Sequence, residues 1–283
     1  MKNCFFVSDI HGKTERYRKL FNQIRQQKPD AVFFGGDLLP HGYSYKSGVE
    51  DFILDFLAVE LMSLRKDMKE SFPEIFLILG NDDPKVNVAS IEKLVKEEGL
   101  WQYMHMRHSA HGGFNIFGYA NVPPTPFRLK DWEKYDVSRY VDPGCIHPTE
   151  GFRSTEPEEN IQFTTIKKDL EKLTGQKDLS KSIFLFHSPP YQTDLDRAAL
   201  DGQKVDHVPL DVHVGSIAIR EFILEKSPTI SLHGHIHEST RLTGQWKQKL
   251  GNTHIFNAAT DTDKLSIVIF DPEHPESAQR KLI

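Results

Sequence analysis

Short apolar runs recur along the chain, and each ends abruptly in polar residues. Cys4 to Val7 is followed by Ser8-Asp9-Ile10-His11-Gly12, Ala31 to Phe34 by Gly35-Gly36-Asp37, and Ile75 to Leu79 by Gly80-Asn81-Asp82-Asp83. Between them apolar residues fall at helical spacing. Tyr17, Leu20, Phe21 and Ile24 recur at i, i+3, i+4 and i+7, and Pro29 ends that helix. A longer helix is predicted from about Val49 to Lys69, and a short one carries Val88, Ile91, Leu94 and Val95 before Gly99. Near-continuous apolar strands spaced by amphipathic helices predict an α/β fold with a mostly parallel sheet covered by helices. In such sheets ligands bind at the carboxyl ends of the strands.

The middle of the chain reads differently. Trp101 to Tyr119 is expected to form short strands around a turn at His108 to Gly113, with His105, His108 and His111 as surface turn histidines. Residues 120–160 carry many prolines and little periodicity, which predicts a long loop or small cap. Its aromatic residues Phe127, Trp132, Tyr135, Tyr140 and Phe152 suit either a small local core or stacking on a base or aryl group. The pattern then resumes. Ile183 to Phe186 ends at His187-Ser188-Pro189-Pro190, Ser216 is placed to cap a helix holding Ile219, Phe222 and Ile223, and Thr229 to Leu232 ends at His233-Gly234-His235-Ile236-His237. Three further strands are expected at Arg241 to Leu250, Thr253 to Phe256 and Leu265 to Phe270, with the last dozen residues polar and prone to fray.

Composition narrows the function classes. The 283 residues hold 35 Lys and Arg against 40 Asp and Glu, a net charge of −5, so large nucleic acids are unfavoured partners. The two cysteines, Cys4 and Cys145, are too few for a disulfide framework or a thiolate zinc site and suit a reducing compartment. No apolar run approaches the length of a membrane span, and no signal-peptide pattern opens the chain. A cytoplasmic protein with no membrane partner is expected, and a homo-oligomer stays open.

The residues just beyond the apolar strands carry the chemistry. They are Asp9, His11, Asp37, Asn81, His187, His235 and His237. Any one of them alone is an ordinary loop residue; their repeated placement after strands is not. Imidazole and carboxylate together, with no thiolate, suit Mn, Fe or Zn. The set is too large for one tetrahedral site and natural for two adjacent ions sharing a carboxylate. Two ions about 3.5–4 Å apart can clamp a phosphate and activate a water between them.

These blocks, Asp9-Ile10-His11, Gly36-Asp37, Gly80-Asn81-Asp82, the lone His187 and Gly234-His235-Ile236-His237, resemble in kind and order the calcineurin-like metallophosphoesterase superfamily. The resemblance implies one domain over residues 1–283, a four-layer α/β/β/α sandwich with two central mixed sheets, and 120–160 as a loop or cap within it. It also implies that one metal takes Asp9, His11 and His237, that the other takes Asn81, His187 and His235, and that Asp37 bridges. One position departs from the pattern, because many members carry a histidine where this chain has Asp82. The departure tilts the expectation from monoesters toward phosphodiester hydrolysis. It also leaves the leaving-group acid to another residue, with His41 and His213 as candidates. His213 precedes a helix whose free N–H groups are placed to hold a phosphate oxygen. Asp37, Asn81 and Asp82 complete the expected catalytic set, with Asp83 or Glu238 orienting ligand imidazoles. The alternatives are a weakly active or inactive regulatory protein on the same fold, a phosphomonoesterase or a nuclease.

Overall fold

The structure is a computed structural model that describes residues 1–40 and 51–283. His41 lies outside the described residues, as does the start of the helix expected at Val49. The chain opens with β1 (Cys4–Val7), α1 (Thr14–Gln27) and β2 (Ala31–Gly35). A π-helical segment, Phe52–Leu57, runs into α2 (Ala58–Met68), followed by β3 (Glu74–Ile78), α3 (Val88–Glu98) and β4 (Gln102–Tyr103). Next come β5 (Arg107–His111), β6 (Phe114–Tyr119), α4 (Ile166–Thr174), β7 (Ser182–Phe186) and a small hairpin of β8 (Lys204–Val205) and β9 (Val208–Pro209). The chain ends with α5 (Ile217–Lys226), β10 (Ile230–His233), α6 (Ser239–Thr243), β11 (Lys247–Leu250), β12 (Thr253–Asn257), β13 (Ser266–Asp271) and β14 (His274–Leu282).

Two six-stranded mixed sheets result. Their orders are β14-β13-β1-β2-β3-β4 and β11-β12-β10-β7-β6-β5. β1, β2 and β3 run parallel, as do β6, β7, β10 and β12. Side chains alternate across a strand, and β7 shows the consequence. Ile183 and Leu185 join the core shared with the first sheet, while Phe184 and Phe186 turn to the cluster under α4 and α5. Phe256 of β12 meets Phe270 of β13 across the sheets, with ring centroids 5.8 Å apart. Tyr17, Leu20, Phe21 and Ile24 bury the inner face of α1 on the other side of the first sheet. The layers are therefore helix, sheet, sheet, helix. Ser216 caps α5 as its position predicts, accepting the Ile219 N–H at 3.1 Å.

Two expectations at the C-terminal end are corrected. Arg241 does not begin a strand; residues Ser239–Thr243 close a short helix and only Lys247–Leu250 pair in the sheet. The terminal residues do not fray, because β14 pairs antiparallel with β13 from Ser266–Leu282 to Asp271–His274. β14 is a sheet edge with mostly exposed side chains, so it carries no apolar signal.

Residues 120–160 hold no helix or multi-residue strand. They are pinned by buried polar groups. Lys130 Nζ donates to Glu133 Oε2 at 2.5 Å and to the Thr125 carbonyl at 2.9 Å, with Lys130 and Glu133 side chains fully buried. Trp132 and Tyr135 are buried, whereas Phe127, Tyr140 and Phe152 stay exposed. His105 is no surface histidine: it packs edge-on against Trp132, with centroids 4.9 Å apart.

Candidate metal centre

The parallel strands of both sheets deliver their polar termini to one edge. The loops after β1 and β2 are zipped together by backbone bonds: Asp9 N–H to the Gly36 carbonyl at 3.0 Å, His11 N–H to Asp37 at 2.9 Å and Gly12 N–H to Leu38 at 2.9 Å. The zipper needs unusual backbone. Asp9, His11, Asp37 and His235 all lie in the left-handed region, with φ of 56°, 51°, 52° and 70°. Non-glycine residues seldom adopt it, and such conformations persist where the surrounding fold enforces them.

Two groups of side chains form there. The ligand atoms of Asp9, His11, Asp37 and His237 lie within 4.8 Å of one another, as do those of Asp37, His187 and His235. Both groups can coordinate a divalent ion, and Asp37 belongs to both. Asn81 joins the second, its Oδ1 3.1 Å from His187 Nε2. The residues picked out along the chain from Asp9 to His237 are thus brought together in space.

The donor set fits cations. His11 Nε2 and His237 Nε2 face each other at 3.2 Å, and His237 Nε2 is 3.1 Å from Asp9 Oδ1. His187 Nδ1 donates to the Gly35 carbonyl at 2.7 Å, which turns Nε2 inward. Glycine keeps the space open. A Cβ on Gly36 would sit 2.6 Å from His187 Nδ1, and one on Gly80 2.6 Å from His187 Nε2, with Asp37 Oδ1 closer still.

Electrostatics agree. Burial opposes charge on Asp37, but His187 and then His11 outweigh it and hold the carboxylate well below its ordinary range. Burial likewise opposes charge on His187, yet Asp37, 3.3 Å from Nε2, raises its pKa to about 9. Burial lowers His235 to about 3, so its imidazole is neutral and its lone pair available.

Asp82 lies outside both groups. Its Oδ2 is 3.3 Å from His11 Nδ1, while its backbone N–H donates to Asp37 Oδ1 at 2.9 Å. Its carboxylate therefore faces a candidate ligand imidazole. His213 belongs to neither ligand group; it bonds through Nδ1 to the buried carboxylate of Asp196 at 2.8 Å.

Three sequence expectations change. The start of α5 is not open to a phosphate: Asp136 reaches over from the 120–160 segment and accepts from the Ser216 hydroxyl at 2.6 Å, Ile217 N–H at 2.6 Å and Ala218 N–H at 3.2 Å. Asp83 does not orient an imidazole. Fully buried, it accepts the N–H groups of Leu38, Leu39 and Gly80 at 2.8–3.0 Å and so fixes the Asp37 and Asn81 loops to each other. Glu238 accepts the Ala199 N–H at 3.1 Å.

Several supporting residues gave little sequence signal. Arg16, buried on α1, donates to the Asp9 carbonyl at 2.9 Å. His233 stacks on Phe186 and bonds the Ser188 carbonyl through Nδ1 at 2.9 Å, steadying the strands that carry His187 and His235. A buried arginine or histidine inside an apolar helix or strand reads from sequence as ordinary surface or core.

A cavity of about 600 Å³ near the 120–160 segment is lined by Lys85, His105, Arg107 and Lys134 among others and contains no member of either group. Its cations face its own carboxylates, as in Arg107–Glu92 at 2.5 Å and Lys134–Asp169 at 2.7 Å.

The calcineurin-like phosphoesterase family profile matches residues 3–239, and the chain belongs to that family. In three dimensions it is similar to the crystal structure of TT1561 from Thermus thermophilus, with a TM-score of 0.59 and 14% identity over 99% of this chain and 98% of that one. It also aligns with a structure described as a novel archaeal phosphodiesterase at 10% identity, covering 99% of each chain, with a TM-score of 0.47. No protein of curated function matches it in sequence. Among the described residues no helix is long and apolar enough to cross a membrane.

Proposed function

We propose that this chain hydrolyses phosphodiesters with two metal ions, Mn, Fe or Zn, held by Asp9, His11 and His237 on one side and by Asn81, His187 and His235 on the other, with Asp37 shared. The observation that carries this reading is the membership of Asp37 in both groups. When bound, such a pair supplies Lewis-acid polarisation of the phosphoryl group and a water acidic enough to attack near neutral pH.

The chain's own residues do the rest. Asp83 holds the Asp37 and Asn81 loops at fixed separation, and Gly35 fixes the His187 ring. Asp9 is locked by the His235 N–H at 3.1 Å and by the Ser8 hydroxyl. The amide of Asn81 is placed to orient a phosphate oxygen as well as to ligate.

Preference for diesters follows from Asp82. Its side chain is about one-third exposed beside His11 and adds a negative charge at the rim. A monoester carries roughly −1.5 to −2 near pH 7, a diester −1, so this carboxylate penalises the monoester more. The test is hydrolysis of bis-p-nitrophenyl phosphate against p-nitrophenyl phosphate by the Mn²⁺-loaded protein. Preferential cleavage of the diester is expected. No cleavage of either ester by protein containing two metals per chain would leave a regulatory or binding role instead.

A further inference from the structure

Asp196 is fully buried, yet no ligand group uses it. Its carboxylate accepts the N–H groups of Gln192, Thr193 and Gly215 at 3.0, 2.9 and 3.1 Å, and its Oδ1 lies 2.8 Å from His213 Nδ1. A buried charge satisfied by so many donors is costly to build and fixes whatever it holds. What it holds is an imidazole with its side chain 30% exposed. The Tyr191 ring stands edge-on to that imidazole with centroids 6.2 Å apart, and Asp211 accepts both the Tyr191 hydroxyl at 2.6 Å and the His213 N–H at 2.9 Å. With Nδ1 committed to Asp196, Nε2 is the nitrogen left for other partners.

The position of this pair follows from its neighbours. Ser216 N–H donates to the Pro189 carbonyl at 2.9 Å, two residues beyond His187. A Cβ on Gly215 would sit 2.7 Å from that same carbonyl, so the His213–Ser216 segment lies directly on the loop that leaves His187. On its other side His213 bridges to Arg197, Ala198 N–H donates to the Val212 carbonyl at 2.8 Å, and Ala199 N–H donates to Glu238, the residue after His237. His213 is thus mounted between the exits of two loops that carry candidate ligands from both groups.

A departing alkoxide needs a proton, and Asp82 faces His11. Resting on the phosphodiesterase reading above, we propose that His213, oriented by Asp196, protonates the leaving oxygen. In the step, the water oxygen forms a new bond to phosphorus as the ester P–O bond breaks. The electron pair of that bond goes to the leaving oxygen, which takes the proton from His213 Nε2 and departs as the alcohol. The attacking water's proton passes to solvent, and His213 regains one from solvent. His213 is the proton donor, and Asp196 is a positioning residue.

The experiment compares two diesters that differ in leaving group, bis-p-nitrophenyl phosphate and diphenyl phosphate, in wild type, His213→Gln and Asp196→Asn, with metal content and thermal melting measured alongside. Nitrophenolate departs without help; phenolate needs the proton more. His213→Gln is expected to lower kcat about 10²-fold on the phenyl ester. On the nitrophenyl ester the expected loss is under about fivefold, with KM and metal content unchanged. Asp196→Asn should steepen the leaving-group dependence in the same sense if it folds; His213→Gln, at a partly exposed site, carries the test alone if it does not. Equal losses on the two esters, or none on either, overturn the proposal while leaving the metal centre standing. A wild type that cleaves neither ester overturns the phosphodiesterase reading and this proposal with it.

Discussion

The carboxylate of Asp82 lies 3.3 Å from Nδ1 of His11, whose Nε2 faces His237 at 3.2 Å. A carboxylate behind a ligand imidazole fixes the ring and strengthens it as a donor, and losing such a partner typically costs 10–100-fold in metal affinity or activity. Asp82→Ala is therefore expected to lower affinity for one of two ions by about 10-fold or more, read by metal titration with the second ion retained. Asp82→His should also raise the ratio of monoester to diester turnover, because it removes a negative charge from the rim.

Asp37 is the residue whose loss should separate binding from folding. Asp37→Asn is expected to reduce turnover at least about 10²-fold while shifting the melting temperature far less, and to lower the bound metal below two per chain. Activity of the variant at wild-type level, with both ions retained, would remove the shared-carboxylate assignment.

Asp83 should behave in the opposite way. Its carboxylate satisfies three buried N–H groups in two loops, and each buried donor left unpaired costs about 1–3 kcal/mol. Asp83→Ala is expected to destabilise the protein by about 3 kcal/mol or more in urea unfolding, with metal affinity falling as the Asp37 and Asn81 loops separate.

Acid should destabilise the fold through two histidines that are not candidate ligands, the buried His233 and the half-buried His105. Burial, then nearby Lys134, lowers His105 to about 3, and burial lowers His233 to about 3. Both folded values lie below the unfolded value near 6.5, so the unfolded chain binds the extra protons. The stability each contributes is full above about pH 6.5 and is lost as the pH falls toward 3. At pH 5 the loss is about 2 kcal/mol per histidine. Asp83 and Glu133, raised by burial to about 7, act in the opposite sense. The check is therefore differential: with chelator present, His105→Gln should show about 2 kcal/mol less loss between pH 7 and pH 5 than wild type.

Metal removal should itself lower stability, since ligands that bind only the folded state stabilise it by mass action. Chelation is expected to lower the melting temperature of wild type, and re-addition of Mn²⁺ to restore it, whereas Asp37→Asn should show a smaller metal-dependent shift. An identical melt with and without metal would argue against ions at this edge.

The strands that frame the centre were legible because they are buried on both faces and stop at charged residues, as at Val7–Asp9 and Phe186–His187. The ligand positions were legible for the same reason. What escaped was polar structure that serves other polar structure. Asp83 and Asp136 read as loop carboxylates until the N–H groups they satisfy are in view, and Asp136 removes the phosphate-binding helix start expected at Ser216. The left-handed backbone at Asp9, His11, Asp37 and His235 gave only a weak sequence cue, since Asp and His are enriched there among non-glycine residues yet only a small fraction of them adopt it. β14 escaped because an exposed edge strand needs no apolar alternation.

The pairing of β1 with β13 on one side and β2 on the other joins segments far apart in sequence within a single layer. During synthesis β1 emerges long before β13, so its second neighbour does not exist until nearly all of the intervening chain has been made. Such remote closure is slow and leaves Phe5 and Phe6 backbone groups open to wrong partners meanwhile. Asp9 lies two residues beyond β1, so the strand that leads into the candidate metal edge is flanked on both sides only once β13 has docked.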